Sequence, residues 1–257
     1  MPDAIFDEAA AAIIGCMPLE YLIDSDLTKV DAFGRTILHV AATHGQINRI
    51  PQGLLTSERL NVAHNGGDTV LHCATANGWL HQIPKEFLTS DNLCCSNKGQ
   101  TVFHYAACSP ASLLQLPECL LTDENLLCTD ISGETVLHAA AINGTLDLLP
   151  EPLFNLGSLS KTDTSGRTVL HLAAVHRHFD QVPKAWRALN LFEMDKHLCC
   201  PLAHLCNSGQ SELLIGLDVP EQVLEVLGEE WAGRHRVALE ARHTLEPMGD
   251  VCDVDIF

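Results

Sequence analysis

The strongest constraint on how this chain can fold is a six-residue motif that appears five times at nearly constant spacing. It begins as Gly-Arg-Thr-Ile-Leu-His at 34–39 and recurs, with the glycine, threonine and histidine kept, at 67–72, 99–104, 133–138 and 166–171. Its histidines are His39, His72, His104, His138 and His171, which lie 32 to 34 residues apart. A fixed period of this length is typical of arrays in which each repeat packs on its neighbours. The sequence therefore predicts a stack of similar units.

The rest of each repeat contains residues with clear structural uses. A pair of small residues follows the histidine, as in Ala41-Ala42, and lets neighbouring helices approach closely. The threonine suits a helix N-cap, because its side chain can accept a hydrogen bond from a free backbone N–H group. In three repeats a glycine stands six residues after the histidine, where the first helix can end in a left-handed conformation. Ser109-Pro110 and Arg177 replace this glycine in two repeats, which predicts distorted turns there.

The combined pattern, Gly-x-Thr-x-Leu-His-x-Ala-Ala-x-x-Gly, resembles the signature of the ankyrin repeat family over residues 31 to about 214. The resemblance implies an all-α solenoid of helix-turn-helix units with hairpin-like loops. It also implies that the five motif histidines are structural, each bonding to the threonine of its own motif and to the backbone of the neighbouring repeat. Residues 31–214 would hold five repeats and a degenerate sixth, which runs from Cys200 to Gly209 with its register open by one residue.

The chain departs from the family pattern in two places within each repeat. Valine or isoleucine, as at Ile37 and Val70, replaces the usual motif proline, so the first helical turn loses a pre-set φ angle and we expect lower stability. A proline also falls inside what would be the second, outer helix. The residue before a proline avoids the helical conformation, so we expect each outer helix to be interrupted there and to restart after it. These prolines are Pro51, Pro84, Pro117, Pro150 and Pro183.

The two ends are expected to cap the array, with an N-terminal capping unit at 1–30 and a helical cap with an acidic tail at 215–257. The net charge of −18 is concentrated there, since 1–30 hold six acids and one base and 212–257 hold eleven acids and three bases. Solubilising caps explain these acids, and an acidic binding face is the alternative. We expect residues 249–257 to form a frayed terminus, and a docking peptide is the alternative. A packing stripe is predicted at Val223, Leu224, Val226 and Leu227.

The chain carries no recognisable catalytic or cofactor motif. It has no phosphate-binding loop, dinucleotide fingerprint, nucleophile elbow or metalloprotease motif, so we expect no enzyme activity, cofactor or metal. The odd count of eleven cysteines favours a reducing cytoplasm over a disulfide framework. The apolar run at 9–19 is too short to span a membrane, and no basic stripe with interleaved aromatics favours nucleic acid. A zinc site remains the alternative at His197, Cys199, Cys200, His204 and Cys206.

These observations predict a monomeric, cytoplasmic scaffold that binds a protein partner on the concave surface of the array. The alternative is an inhibitor or immunity-type protein that neutralises a basic toxin or enzyme through the acidic ends. Residues beside the motif glycine and threonine, and those flanking the inner helix, have no motif role and vary in chemistry. The charges among them alternate in sign, which favours recognition by specific charge pairs. The predicted contacts are Phe33, Arg35, His44, Asn65, Asp68, Asn77, Lys98, Gln100, Ile131, Glu134, Asn143, Thr164, Arg167 and His176.

Overall fold

The computed structural model describes residues 24–94, 99–188, 190–215, 217 and 219–229 of the chain. This part is mostly helical, which confirms the all-α prediction, and its β-structure is limited to isolated bridges. Six inner helices pack side by side in chain order, each against the inner helix of the next unit. They are α1 (Ile37–Thr43), α3 (Val70–Ala76), α5 (Val102–Ala107), α8 (Val136–Asn143), α10 (Val169–Val175) and α11 (Pro201–Asn207).

The inner helices are apolar on nearly every side. In α8 all of Val136 to Ala141 are buried, because the helix lies between two neighbouring inner helices and the outer segments. The alanines keep the helices close together, and the motif leucine of each unit, such as Leu71 or Leu137, fills the space between units. A helix that is apolar all round can exist in water only as the interior of such a stack.

Each outer segment is interrupted at its proline, as predicted. The five prolines have φ between −55° and −61° and ψ between 126° and 136°, an extended conformation that no helix can include. Residues before them, such as Ile50 and Ile83, are extended as well. The pieces on either side are shorter than expected, because most are single 3₁₀ turns. These turns are Ile47–Arg49, Gln52–Leu54, Leu80–Gln82, Lys85–Phe87, Glu118–Leu120, Leu146–Leu148, Glu151–Leu153, Phe179–Gln181 and Lys184–Trp186.

A short helix follows the broken outer segment in four units. Thr56, Thr89 and Thr122, and Asn155 in the fourth case, cap these helices by accepting a hydrogen bond from the backbone N–H three residues later. A unit is therefore an inner helix, an irregular outer segment and one more helical turn, rather than a simple pair of helices. The short helices are α2 (Ser57–Leu60), α4 (Ser90–Leu93), α7 (Asp123–Leu126) and α9 (Leu156–Leu159).

Glutamine side chains in the outer segments join successive units. Gln82, Gln115 and Gln181 each donate to the carbonyl of a glycine 37 residues earlier, at 2.9 to 3.1 Å. The amide oxygens of Gln115 and Gln181 also accept from backbone N–H groups of the preceding unit, at 2.8 and 3.1 Å. These side chains satisfy backbone polar groups at the turns between the inner helix and the outer segment of the preceding unit. Nothing in the repeat motif had predicted this ladder.

The two turns without glycine behave differently from each other. Arg177 has φ 67°, close to the 66° of Gly45, so this turn keeps the common geometry and the expected distortion is absent. At the other turn Ser109 is the N-cap of a short α-helix, α6 (Pro110–Leu113), which stands where the remaining units have a 3₁₀ turn. Only the Ser109-Pro110 turn therefore departs from the pattern, because proline suits a first helical position.

The end of the array is described as far as residue 229, so the tail lies outside the described residues, as do residues 1–23 of the predicted N-terminal cap. In α11 the N-cap is Cys200, which places Ala203 where other units have the motif histidine, and His204 one position later. The last helix of the described part, α12 (Glu221–Leu227), buries Val223 fully and packs Leu224 and Leu227 on the core. Val226 is 60% exposed, so its assignment to the packing stripe was wrong.

Candidate functional site

The loops that precede four of the inner helices form tight tips, and a carboxylate holds each of these tips together. Asp31, Asp130, Asp163 and Asp195 each accept two backbone N–H groups, from the residues two and four positions later, at 2.8 to 3.0 Å. In Asp31, Asp163 and Asp195 burial acts to raise the pKa, but the hydrogen-bond donors lower it by more, so that it lies below the usual range. The tips are therefore rigid without any ligand.

Backbone hydrogen bonds connect three pairs of neighbouring tips, which lie in a row. The N–H of Asn65 donates to the carbonyl of Phe33 at 2.9 Å, and that of Thr164 donates to Ser132 at 2.8 Å. The N–H of Lys196 continues the row by donating to Ser165 at 2.9 Å. Two apolar side chains on these tips are exposed to solvent. Phe33 is 66% exposed and Ile131 is 71% exposed.

The five motif histidines join each inner helix to the tip of the next unit. In every case Nδ1 accepts from the N–H of the motif threonine at 3.1 to 3.3 Å, and Nε2 lies 3.1 to 3.3 Å from a carbonyl of the next unit. This pattern requires the neutral tautomer with its proton on Nε2. The accepting carbonyls belong to Asp68, Gln100, Glu134, Arg167 and Cys199.

Burial lowers the pKa of all five histidines, because the charged form would lose its hydration. The effect brings the pKa of His39 to about 4, while its hydrogen bond to the carbonyl of Asp68 acts in the opposite direction. The rings therefore stay uncharged at neutral pH. Their hydrogen bonds also hold the main chain of four predicted contact residues, so the side chains of those residues project from fixed positions.

Several predicted contact residues lie at the ends of the inner helices. The side chains of His44, Asn77 and Asn143 bond to carbonyls of their own helices at 2.8 to 2.9 Å, and all three remain exposed. His176 and Thr164 are exposed too. These side chains therefore cap helix ends as well as reaching the surface, and capping alone would account for asparagine or histidine at such positions.

The predicted charged contacts are largely paired within the fold. Arg35 contacts Asp31 at 2.7 Å, and Arg167 contacts Asp163 at 2.7 Å and Glu134 at 3.6 Å. The carboxylate of Asp68 accepts from the hydroxyl of Tyr105 at 2.6 Å and lies 3.5 Å from His64. Lys98 lies outside the described residues. The charged side chains therefore form ion pairs and hydrogen bonds within the tips, and fewer of them face solvent unpaired than the sequence suggested.

A cleft of about 170 Å³ opens between the tip at Asp130 and the helices α5 and α8. It brings together the predicted contacts Gln100, Glu134 and Asn143. Its other walls include residues that were not predicted from the sequence, namely Tyr105, Asp130 and Ile142. Tyr105 directly follows a motif histidine, where the other repeats have smaller side chains. That difference in the sequence could have identified Tyr105 as a candidate contact.

The zinc alternative gains no geometric support. Among the described residues, no three histidine, cysteine, aspartate or glutamate side chains converge as metal ligands would. Of the five candidate ligands, Cys200 is buried while Cys206 is exposed. In the same part of the chain no helix is both long enough and apolar enough to cross a membrane.

We define the tip face as the surface made by the loop tips and the exposed ends of the inner helices. Its fixed framework is the aspartates and the motif histidines, and its variable part is the predicted contact residues together with Tyr105 and Ile142. Comparison with family models and with curated proteins finds no match for this chain, so the functional argument rests on the geometry of the tip face.

Proposed function

We propose that this chain is an ankyrin-type repeat protein whose tip face binds a protein partner. Support comes from the repeat period, the capping threonines and the histidines that bond across units. Under this proposal the protein acts by binding alone, as a cytoplasmic monomer, without cofactor, metal, membrane or nucleic acid. Stacked repeats present a long surface on which variable residues stand at regular intervals, which suits recognition of another protein.

The observation that supports the proposal most is the contrast between the rigid tips and the side chains exposed on them. The Asp130 carboxylate and the hydrogen bond from Thr164 to Ser132 fix the tip, yet Ile131 on it is 71% exposed. Holding an apolar side chain out in water costs free energy that a partner could recover. Pre-ordered contact residues also reduce the entropy lost on binding, so such tips favour tight association.

The proposal predicts that the exposed apolar side chains of the tips are needed for binding. A double variant, Phe33→Ser with Ile131→Ser, should weaken the affinity for a partner captured by the wild-type protein at least tenfold. Neither side chain is buried, so the melting temperature should stay close to that of the wild type. Affinity is measured by calorimetry or surface plasmon resonance with the purified partner.

The matched control is Leu114→Ser with Leu156→Ser, which removes two exposed leucines, 70% and 57% exposed, away from the tips. This variant should bind the partner as the wild type does. Equal losses in both double variants would show that any apolar surface suffices, and an unchanged affinity in the tip variant would rule out the tip face as the site.

A further inference from the structure

The loop tips share a geometry but differ in the charge at one position. Four residues after the tip aspartate stands Arg35 in one tip and Arg167 in another, and each guanidinium contacts its aspartate through both Nε and a terminal nitrogen at 2.7 Å. In the tip at Asp130 the same position holds Glu134. A second carboxylate therefore replaces the guanidinium that two other tips supply from within the chain.

The carboxylate of Asp130 has weaker side-chain partners than the carboxylates of Asp31 and Asp163. Oδ1 of Asp130 accepts the two loop N–H groups, as in the other tips. Its Oδ2 has the amide of Gln100 at 3.4 Å, a longer contact than the 2.7 Å arginine bonds of Asp31 and Asp163. The neighbouring Arg167 lies 3.6 Å from Glu134 and is already held at 2.7 Å by Asp163. One guanidinium therefore serves two carboxylates, Asp163 and Glu134.

The cleft beside these carboxylates has the lining for a flat cation with an apolar stem. Ile142 and Ala139 supply apolar surface, and Tyr105 contributes an aromatic ring. The hydroxyl of Tyr105 donates to Asp68, which fixes the ring, and the ring of His72 packs against it edge-on at 5.0 Å. Guanidinium groups pair with carboxylates through two parallel hydrogen bonds and stack on aromatic rings, whereas an ammonium does neither as well.

We propose that this cleft binds an arginine side chain of the protein partner, with its guanidinium on Asp130 and Glu134 beside the ring of Tyr105. The partner would supply to the tip at Asp130 the group that Arg35 and Arg167 supply to their own tips. This inference rests on the proposed function, because it names the side chain that the tip face recognises. It also places the most selective contact near the middle of the row.

The test uses a blocked arginine, N-acetyl-arginine-N-methylamide, titrated into the ¹⁵N-labelled full chain. The wild type should show saturable shift changes at the amides of Tyr105, Glu134 and Ile142, with millimolar affinity. The matching citrulline compound, which has the same shape without the charge, should bind at least tenfold more weakly. Equal binding of the two compounds, or no saturable change with arginine, would overturn the proposal.

Two variants connect the effect to Glu134. Glu134→Arg introduces the residue that the tips at Asp31 and Asp163 have, so the chain should fold and the added guanidinium should occupy Asp130 and abolish arginine binding. Glu118→Arg makes the same charge change at an exposed outer position and should leave binding unchanged. If Glu134→Arg is folded and still binds arginine as the wild type does, the cleft is not the site.

Arginine binding at the cleft and partner binding at the tip face are measured separately, so either proposal can fail without the other. If the tip variants weaken partner binding while arginine does not bind the cleft, the arginine proposal fails and the binding function stands. If arginine binds the cleft and the tip variants leave partner binding unchanged, the cleft is an arginine site and the proposed docking of the partner through the exposed apolar side chains fails.

Discussion

Replacing His138 by alanine should lower the free energy of unfolding by about 3 kcal/mol, because two buried groups lose their partners at once. The N–H of Thr135 would lose the acceptor Nδ1, and the carbonyl of Arg167 would lose the donor Nε2. His138 has no exposed surface, so water cannot replace it without a rearrangement. Urea unfolding followed by circular dichroism measures the loss.

His44→Ala is the matched control, since this histidine is exposed and bonds only within its own helix. It should change the unfolding free energy by less than about 0.5 kcal/mol. A similar small change for His138→Ala would mean that its hydrogen bonds do not hold the units together. A large loss of partner affinity with unchanged stability would instead assign His138 to binding.

Stability should fall steeply as the pH drops from about 7 towards 4. The five motif histidines have pKa values lowered by burial, whereas in the unfolded chain they titrate near 6.5. The unfolded state therefore binds more protons below pH 6.5, and the stabilisation that is complete above that pH is lost as the pH falls towards the folded pKa. Each histidine contributes up to about 1.4 kcal/mol per pH unit.

Carboxyl groups act differently in this range. The lowered pKa of Asp31, Asp163 and Asp195 means that their contribution is lost only below pH 3.8, as the pH falls through their folded pKa. Burial, followed by the charge of Asp130, raises the pKa of Glu134, which opposes the histidine effect slightly. The window between pH 4.5 and 6.5 therefore reports mainly on histidines.

His138→Gln isolates one histidine in this window, because glutamine at the third helical position can still cap the helix without titrating. The slope of the unfolding free energy against pH, measured between pH 5 and 7, should be smaller in this variant than in the wild type by up to about 1.4 kcal/mol per pH unit. Identical slopes in the variant and the wild type would contradict a buried, neutral His138.

The features that could be predicted from the sequence are those decided within a few residues. The break at Pro51 results from the ring of proline and its effect on the residue before it. The N-caps are equally local, since a threonine three positions before the motif histidine can cap a helix whatever packs against it. The extent of each outer piece was not predictable, because packing against the neighbouring unit decides between a 3₁₀ turn and a longer helix.

The features that were not predicted depend on which residues of different units face each other. Gln115 and Gly78 are 37 residues apart, so their hydrogen bond cannot be inferred from spacing within one repeat. Tyr105 matters because its hydroxyl reaches Asp68 in the tip of the preceding unit. Arg167 and Glu134 were both predicted to contact a partner, but they lie in neighbouring units and contact each other.

The central claim is that a protein partner docks on the tip face, and photo-crosslinking tests it most directly. A photoreactive phenylalanine derivative placed at position 131 or at position 156 replaces a side chain that is exposed in either case. The tip-face account predicts that the partner crosslinks through position 131 and not through position 156. Crosslinking through position 156, with none through position 131, would contradict it.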